Sequence, residues 1–373
     1  MKTLLALLGL CGLVGCVRPQ HAEPRVNVAL ISDVPGDALL RRVAWERVVR
    51  LGGAPQVLLG GITKVLPIPE STDVVVIDGE SGKVAYRFSA DGQLLGEYRS
   101  TSRRAKILDA VFLENGNLLI SKDQVLEEFD ASGRSVKVVP VNYAAIAMVV
   151  VDGVLCVHVA LPKPEDPARV ICVDGEYVAR RAFGEFEPMF FRYKYQPHSP
   201  MFRIGSEIAL VSYESTRLEL WSPNGRQREA ITTDTASESI NALRKLLTPQ
   251  TFGPEERLAV RQQMRRFEWA AAVGRSALLW EKMNADGISN LVHMQTEARW
   301  TRYLGVSPQR IADYQDAGLL LTDVVGSWED GVIGYFSHPG VVGEFGEKYP
   351  MLHGPEIVPS ANPVLVFLKI QPS

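Results

Sequence analysis

Residues 73–98 read DVVVIDGESGKVAYRFSADGQLLGEY, and their pattern decides the fold. An apolar, β-branched run at 73–77 precedes two shorter runs at 83–88 and 93–98. The clusters Asp78-Gly79-Glu80-Ser81-Gly82 and Ser89-Ala90-Asp91-Gly92 separate them, each rich in residues that reverse the chain. The stretch is a three-stranded antiparallel meander. A single meander cannot bury both of its faces, so the chain must repeat it or cover it.

The chain repeats it. With residues 62–68 in front, the stretch becomes a four-stranded unit, and a second copy follows at 107–113, 118–121, 124–129 and 134–140. A third runs over 144–150, 154–160, 168–173 and 176–183, and a fourth over 201–204, 207–214, 217–221 and 226–232. In the first, second and fourth units the third strand ends on an aromatic residue followed by a four-residue turn closed by glycine: Phe88 with SADG, Phe129 with DASG, Trp221 with SPNG. A fifth copy occupies 267–273, 276–282, 288–294 and 300–304. The sixth has strands at 319–325, 331–337 and 363–370 but lacks a fourth. Residues 45–51, WERVVRL, supply it, which closes a ring by pairing the two ends of the chain. The expected fold is all-β: a six-bladed β-propeller of four-stranded antiparallel blades at 45–373, an architecture that removes open sheet edges.

The 373 residues carry a formal net charge of −3, with 46% hydrophobic and 22% charged residues. That balance gives no reason to expect a nucleic-acid partner. The N-terminus departs from the rest. Lys2 precedes an apolar run from Leu4 to Val14 that is too short to span a bilayer, and Leu13-Val14-Gly15-Cys16 ends it. That tetrapeptide resembles the lipobox of bacterial lipoproteins. The resemblance implies a signal peptide at 1–15, lipidation of Cys16, anchoring to a membrane, and, with Val17 rather than Asp next, sorting to the outer membrane. Residues 16–44 then read as a tether and lead-in.

Cys156 and Cys172 fall on consecutive strands of the third unit. If their hairpin is symmetric the two stand opposite each other, and two readings stay open: a cross-strand disulfide, or two thiols filling apolar positions.

Three segments carry a more specific likeness: Leu58-Leu59-Gly60-Gly61-Ile62-Thr63-Lys64-Val65 before the first inner strand, Ser199-Pro200-Met201-Phe202 before the fourth, and Asn362-Pro363-Val364-Leu365-Val366-Phe367-Leu368-Lys369 near the end. They resemble the six-bladed β-propeller lipoproteins of Bacteroides and other Gram-negative bacteria, related to NHL and TolB-type propellers. The resemblance spans about residues 45–370 and implies no catalytic residue. Where that family often has a Gly-Pro-Gly-Glu-like turn before the second blade, this chain has Ser100-Thr101-Ser102-Arg103-Arg104.

Strands in a blade alternate in direction, so loops sort onto two faces. The first-to-second and third-to-fourth turns are short and polar. The long segments 99–106, 184–200, 233–266 and 338–362 all emerge on the other face, where binding is expected. The segment GEFEPMFFRYKYQPHSP at 184–200 offers Phe190, Arg192, Tyr193, Tyr195 and His198, aromatic surface interleaved with cations and suited to stacking on a flat ligand. Alternation in the same segment also fits an ordinary amphipathic strand. Residues 233–266 read as a small helical insertion, with Ser237 or Ser239 as a cap and a second helix from Gly253. Residues 338–362 contribute His338, Tyr349 and His353, whose spacing matches no metal-ligand pattern, so neither a metal nor another cofactor is expected.

No Gly-x-Ser-x-Gly elbow, His-Glu-x-x-His pair, Walker loop or Gly-x-Gly-x-x-Gly turn occurs. The expectation is therefore a monomeric, envelope-anchored binding or scaffolding protein whose ligand is a small molecule, a glycan or an envelope protein. The rival is a propeller hydrolase or lyase with polar residues gathered over the central channel. What the innermost strands present at the axis separates the two.

Overall fold

In a computed structural model of the chain, the described residues run from 25 to 370, apart from 53–58, 79–81, 101–105, 161–167, 186–200, 212–216, 284–288, 295–298, 305–322, 337–362, most of 37–41 and 233–264, and a few single positions. The signal segment and Cys16 lie outside them.

Strands β1 (Arg25–Val28), β2 (Leu30–Pro35) and β3 (Val43–Arg50) open the chain. The first meander is β4 (Ile62–Pro67), β5 (Val74–Asp78), β6 (Val84–Phe88) and β7 (Leu94–Arg99). The second is β8 (Asp109–Phe112), β9 (Leu118–Lys122), β10 (Val125–Phe129) and β11 (Ser135–Pro140). Then follow β12 (Ala145–Val151), β13 (Val154–Val159), β14 (Ala168–Val173) and β15 (Ala179–Glu185), and β16 (Met201–Ile204), β17 (Glu207–Val211), β18 (Arg217–Trp221) and β19 (Gln227–Thr232). The last two groups are β20 (Arg265–Val273), β21 (Ser276–Met283), β22 (Ser289–Met294) and β23 (Arg299–Leu304), and β24 (Asp323–Trp328), β25 (Gly331–Phe336) and β26 (Val364–Ile370).

Hydrogen bonding gathers these strands into six sheets, each an antiparallel meander of four, with a fifth, parallel strand on two of them. The sheets stand around an axis as the blades of a β-propeller. Their innermost strands pack side by side, β12 on β8, β16 on β12, β20 on β16, β24 on β20 and β4 on β24. Between β4 and β8 the Lys64 ammonium meets Asp109.

Strand periodicity explains why the second strand of each blade reads as an unbroken apolar run. Successive side chains of a strand point to opposite faces, and here both faces are covered. Val74 and Val76 pack into the seam with the last sheet, beside Leu365 and Phe367. Val75 and Ile77 pack into the seam with the second sheet, beside Leu118 and Ile120. Leu119 points the other way, toward Val157 and Ile171 of the third. Each such buried side chain contributes about 1.5–3 kcal/mol, so the seams carry most of the stability.

The turns that mark the repeat are held by backbone that favours glycine. Gly92, Gly133 and Gly225 close the aromatic-ended third strands with φ near +80. At Gly92 a Cβ would lie 1.8 Å from the Arg50 carbonyl oxygen, so no side chain fits. That turn docks on the end of β3, where the Gly52 amide donates to the Gly92 carbonyl at 2.7 Å. The third sheet solves the same problem differently: Tyr177 adopts the left-handed conformation after Asp174-Gly175.

Ring closure joins the two ends of the chain. Strand β3 pairs antiparallel with β26, Val43 opposite Ile370 and Arg50 opposite Val364. Trp328 and Phe367 meet edge to face there at 5.4 Å.

Three expectations are corrected. Part of the stretch read as tether and lead-in at 16–44 is built into the sheets. β1 runs parallel to β19 with Arg25 opposite Glu229, and β2 runs parallel to β23 with Leu30 opposite Arg299. This strap covers the outer edges of two neighbouring sheets, satisfying ladder groups that would otherwise be open. Second, the helical insertion expected at 233–266 lies outside the described residues as far as 264, except Lys245 and Glu255, both of them helical, and it stops short of its expected end. Arg265 and Arg266 open a strand instead, because the ladder with β21 extends to Arg265 opposite Met283. Third, the inner strand of the last sheet is Asp323–Trp328 rather than 319–325. It bulges between Val324 and Gly326, where Gly326 lies so near the Val65 carbonyl oxygen that a Cβ would be 2.5 Å from it.

Candidate functional site

The inner strands enclose a cavity of about 880 Å³ along the axis. It runs from the beginning of these strands, at Lys64 and Asp109, to the short turns after them, at Glu70, Glu114 and Asn115. Each inner strand turns its edge to the axis, and its side chains alternate between the two neighbouring seams, Val111 toward the third sheet and Phe112 toward the first, so consecutive residues such as Ile146 to Val150 line the wall. It is largely apolar: Leu66, Val111, Phe112, Ile146, Val150 and Ala272 all contribute.

One ion pair joins neighbouring inner strands in this wall, and its polar groups are occupied; Glu70, Glu114 and Arg203 line the cavity at its short-turn end. Lys64 Nζ donates to Asp109 Oδ1 at 2.5 Å and to the Ala110 carbonyl at 2.9 Å. The Met148 amide donates to Asp109 Oδ2 at 2.6 Å. The Asp109 side chain is 7% exposed, and it ties β4, β8 and β12 together across two seams. With both oxygens engaged, this carboxylate fastens three inner strands.

A second cavity, of about 670 Å³, opens on the short-turn side at the seam where the ring closes. Its walls are the turns 67–73 and 327–329 with part of β3. Pro67, Glu70 and Ser327 line both cavities, which therefore adjoin. Within it, the Arg47 guanidinium lies 3.8 Å over the Phe367 ring, its cross-strand partner, and donates to the Thr72 carbonyl at 2.8 Å. Burial lowers the Arg47 pKa from its ordinary value, and nearby Asp73 works against that shift. Asp73 itself is held by Arg87 at 2.8 Å. Glu46, Glu70 and Glu329 are exposed around the opening.

The residues nominated from sequence fare unevenly. Phe190, Arg192, Tyr193, Tyr195, His198, His338, Tyr349 and His353 all lie outside the described residues, as does Cys16. Cys156 and Cys172 stand opposite each other on β13 and β14 and their sulfurs are joined. That bond sits in the core between the third and fourth sheets, away from either cavity. Both described cavities reach the short-turn side, the side read from sequence as bland. Lys64, Asp109, Phe112 and Trp328 were not nominated. The signal that finds them is position: they lie on the first strand of a blade, the strand nearest the axis.

Among the described residues no group of three or more His, Cys, Asp or Glu side chains is placed to hold a metal ion. No helix among them is long and apolar enough to cross a membrane.

No family model and no curated protein matches the chain. Among solved structures, a Bacteroides fragilis protein described as exported is similar with a TM-score of 0.68 at 10% identity, over 93% of this chain and 99% of its own. The WD40 domain of Neurospora crassa Pan2 is similar with a TM-score of 0.46 at 9% identity, over 84% and 76%. A gluconolactonase of Xanthomonas campestris gives 0.45 at 8% identity, over 87% and 98%. At these identities the likeness concerns fold alone, and the class it defines with the sheet topology is the β-propeller.

Proposed function

We propose that this is an exported propeller, its six sheets the six blades of one ring, that binds an apolar portion of a ligand in the axial cavity. The observation that supports this reading is the chemistry of the wall. Leu66, Phe112, Val150 and their neighbours offer apolar surface, and the one ion pair among them has spent its hydrogen-bonding capacity internally. Ligand pockets are built this way, apolar with a few polar groups. A hydrolase or lyase needs an acid, a base or a metal at the axis, with hydrogen-bonding capacity to spare.

Anchoring through a lipid on Cys16, in the outer membrane, belongs to the same proposal, as do a monomeric state and a small molecule, glycan or envelope protein as ligand. The joined Cys156 and Cys172 support an oxidising compartment.

The test is a melting-shift screen of apolar and amphipathic small molecules against the wild type and Val150→Trp, which fills the channel from the third blade. Binding that the variant loses, with its circular dichroism unchanged, is the expected result. Ala272→Leu gives a second, milder obstruction from the fifth sheet. Stoichiometric zinc or calcium in the purified protein, or ligands indifferent to both substitutions, would overturn the reading.

A further inference from the structure

Two outer edges of the ring are covered by strands of the chain's own leading segment, and the way they are covered specifies what a third edge can take. We infer that the outer edge of β11 is a docking site for an extended segment of another polypeptide, which adds as a fifth strand parallel to β11 with an apolar residue at every second position. This site lies on the rim of the ring and is independent of the axial cavity.

The mode is present twice in the molecule. β1 lies parallel on β19, with Arg25 opposite Glu229 and Val28 opposite Thr232, and β2 lies parallel on all six residues of β23. Parallel addition needs no hairpin between host and guest, so the guest strand need not belong to the same chain. β19 and β11 also share an irregularity. Each carries one bulged residue beside the end of the third strand, Arg228 in β19 and Val136 in β11. β1 pairs just past that bulge, over 229–232, and the matching stretch of β11 is 137–140.

Among the described residues β3, β7, β11 and β15 are outer strands with no further strand on their far side. Three of these edges are obstructed or guarded. The Gly92 turn docks on the end of β3. Gly52 already bridges Gln93 in parallel just ahead of β7. β15 presents the exposed Arg180 and Arg181, and charged side chains on an edge discourage pairing. On β11 the lysine that would guard the edge is spent. Lys137 Nζ donates to the Gly175 carbonyl at 2.9 Å and to Glu176 at 3.0 Å and lies over the Tyr177 ring, all in the turn before β15. Val136 and Val138 are left 46% and 47% exposed, and Pro140 ends the strand. A guest placed as β1 is on β19 sets its second residue, the counterpart of Val26, beside Val138 on the same face of the sheet. A twofold axis makes two copies of one strand antiparallel, so a parallel guest is a segment other than β11 itself.

The probe is a synthetic peptide with the sequence of residues 25–35, RVNVALISDVP, labelled with fluorescein and titrated by anisotropy into the full chain, whose β19 and β23 edges are already occupied. Saturable binding is expected. V136K/V138K should weaken it at least tenfold while leaving the melting temperature at the wild-type value, because both side chains are exposed. The peptide carrying V26K/V28K should bind wild type at least tenfold more weakly. Hydrogen exchange should slow in β11 and stay unchanged in β19 and β23. Disulfide trapping on Val138→Cys should favour the peptide with Val26→Cys over the peptide with Val34→Cys, as a parallel guest requires. Binding that V136K/V138K leaves intact, or altered exchange in β19 and β23, means that the peptide displaces the strap and overturns the inference. Preferential trapping of the Val34→Cys peptide, self-association of the full chain that V136K/V138K abolishes, or no binding at all overturns it as well. None of these outcomes bears on the axial cavity, which β11 does not line.

Discussion

Arg169 on β14 donates to Glu219 on β18 at 2.6 Å, and the two side chains, 3% and 4% exposed, tie the third sheet to the fourth through the protein interior. Glu219 also accepts from Arg217 and from the Trp221 indole. Removing the carboxylate charge leaves Arg169 buried with its attraction gone. Glu219→Gln should cost about 3–5 kcal/mol in denaturant unfolding. Glu176→Gln, which breaks the exposed pair with Lys137, should cost less than about 1 kcal/mol. Equal costs for the two would show that the buried tie contributes nothing special.

Acid should act through the same carboxylate. Burial pushes the Glu219 pKa up, but Arg169, Arg217 and the Trp221 indole outweigh it, so the folded value lies below the ordinary 4.5. At Glu128 burial is likewise outweighed, here by Asn117, Asn115, Tyr177 and Lys137. A depressed folded pKa gives stability that is present above the unfolded value and lost as pH falls through the folded one. Melting temperature should therefore hold from neutrality to about pH 5 and fall below about 4.5. Glu219→Gln should flatten that fall, and an unchanged slope would refute the assignment.

Glycine at the turns is required for two separable reasons. Gly116 has φ +80 but no atom near a would-be Cβ, whereas Gly92 has φ +81 and the Arg50 carbonyl in the way. Gly116→Ala should cost about 1–2 kcal/mol, the left-handed penalty alone. Gly92→Ala must also push β3 away and should cost more, with hydrogen exchange accelerating in β3 and β26. Protection there equal to wild type would rule out the coupling.

The bond between Cys156 and Cys172 closes a loop of sequence separation 16. By loop-closure entropy it should stabilise the fold by about 3 kcal/mol. Reduction, or the double change Cys156→Ala and Cys172→Ala, should lower the melting temperature by several degrees without abolishing folding. The ring depends on the seams, not on this link, so complete unfolding on reduction would contradict the assignment.

Deleting the strap tests edge protection. A chain starting at Gly36 keeps β3 and the closed ring but exposes the outer edges of β19 and β23. Such edges pair with other chains, so sedimentation velocity should show self-association that a chain starting at Val17 does not. A shortened chain that remains monomeric at high concentration would disprove the protective role.

The blades were legible because local chemistry repeats: a β-branched second strand, an aromatic end to the third, then a turn closed by a left-handed glycine at 92, 133 and 225. Even the irregular third turn showed itself, lacking that glycine. Closure by residues 45–51 followed from a missing fourth strand. β1 and β2 carry no such mark. RVNV and LISDVP are short, and they become strands by lying on β19 and β23, a fact held by remote partners rather than by their own pattern. The site was hidden for a related reason. Loop length drew attention to 184–200 and 338–362, whereas the cavity wall is assembled from short stretches of many inner strands, none distinctive in its own segment.

The register of the first three strands also sets an order of events. Arg25 meets Glu229, Leu30 meets Arg299 and Val43 meets Ile370, so none of them can find its place until the far half of the chain exists. β1 can pair once residue 232 is made and β2 once residue 304 is made, whereas β3 must wait for β26, the last strand. A chain built in this way reaches its final shape only once all of it is available, which suits a polypeptide threaded through a membrane before it folds.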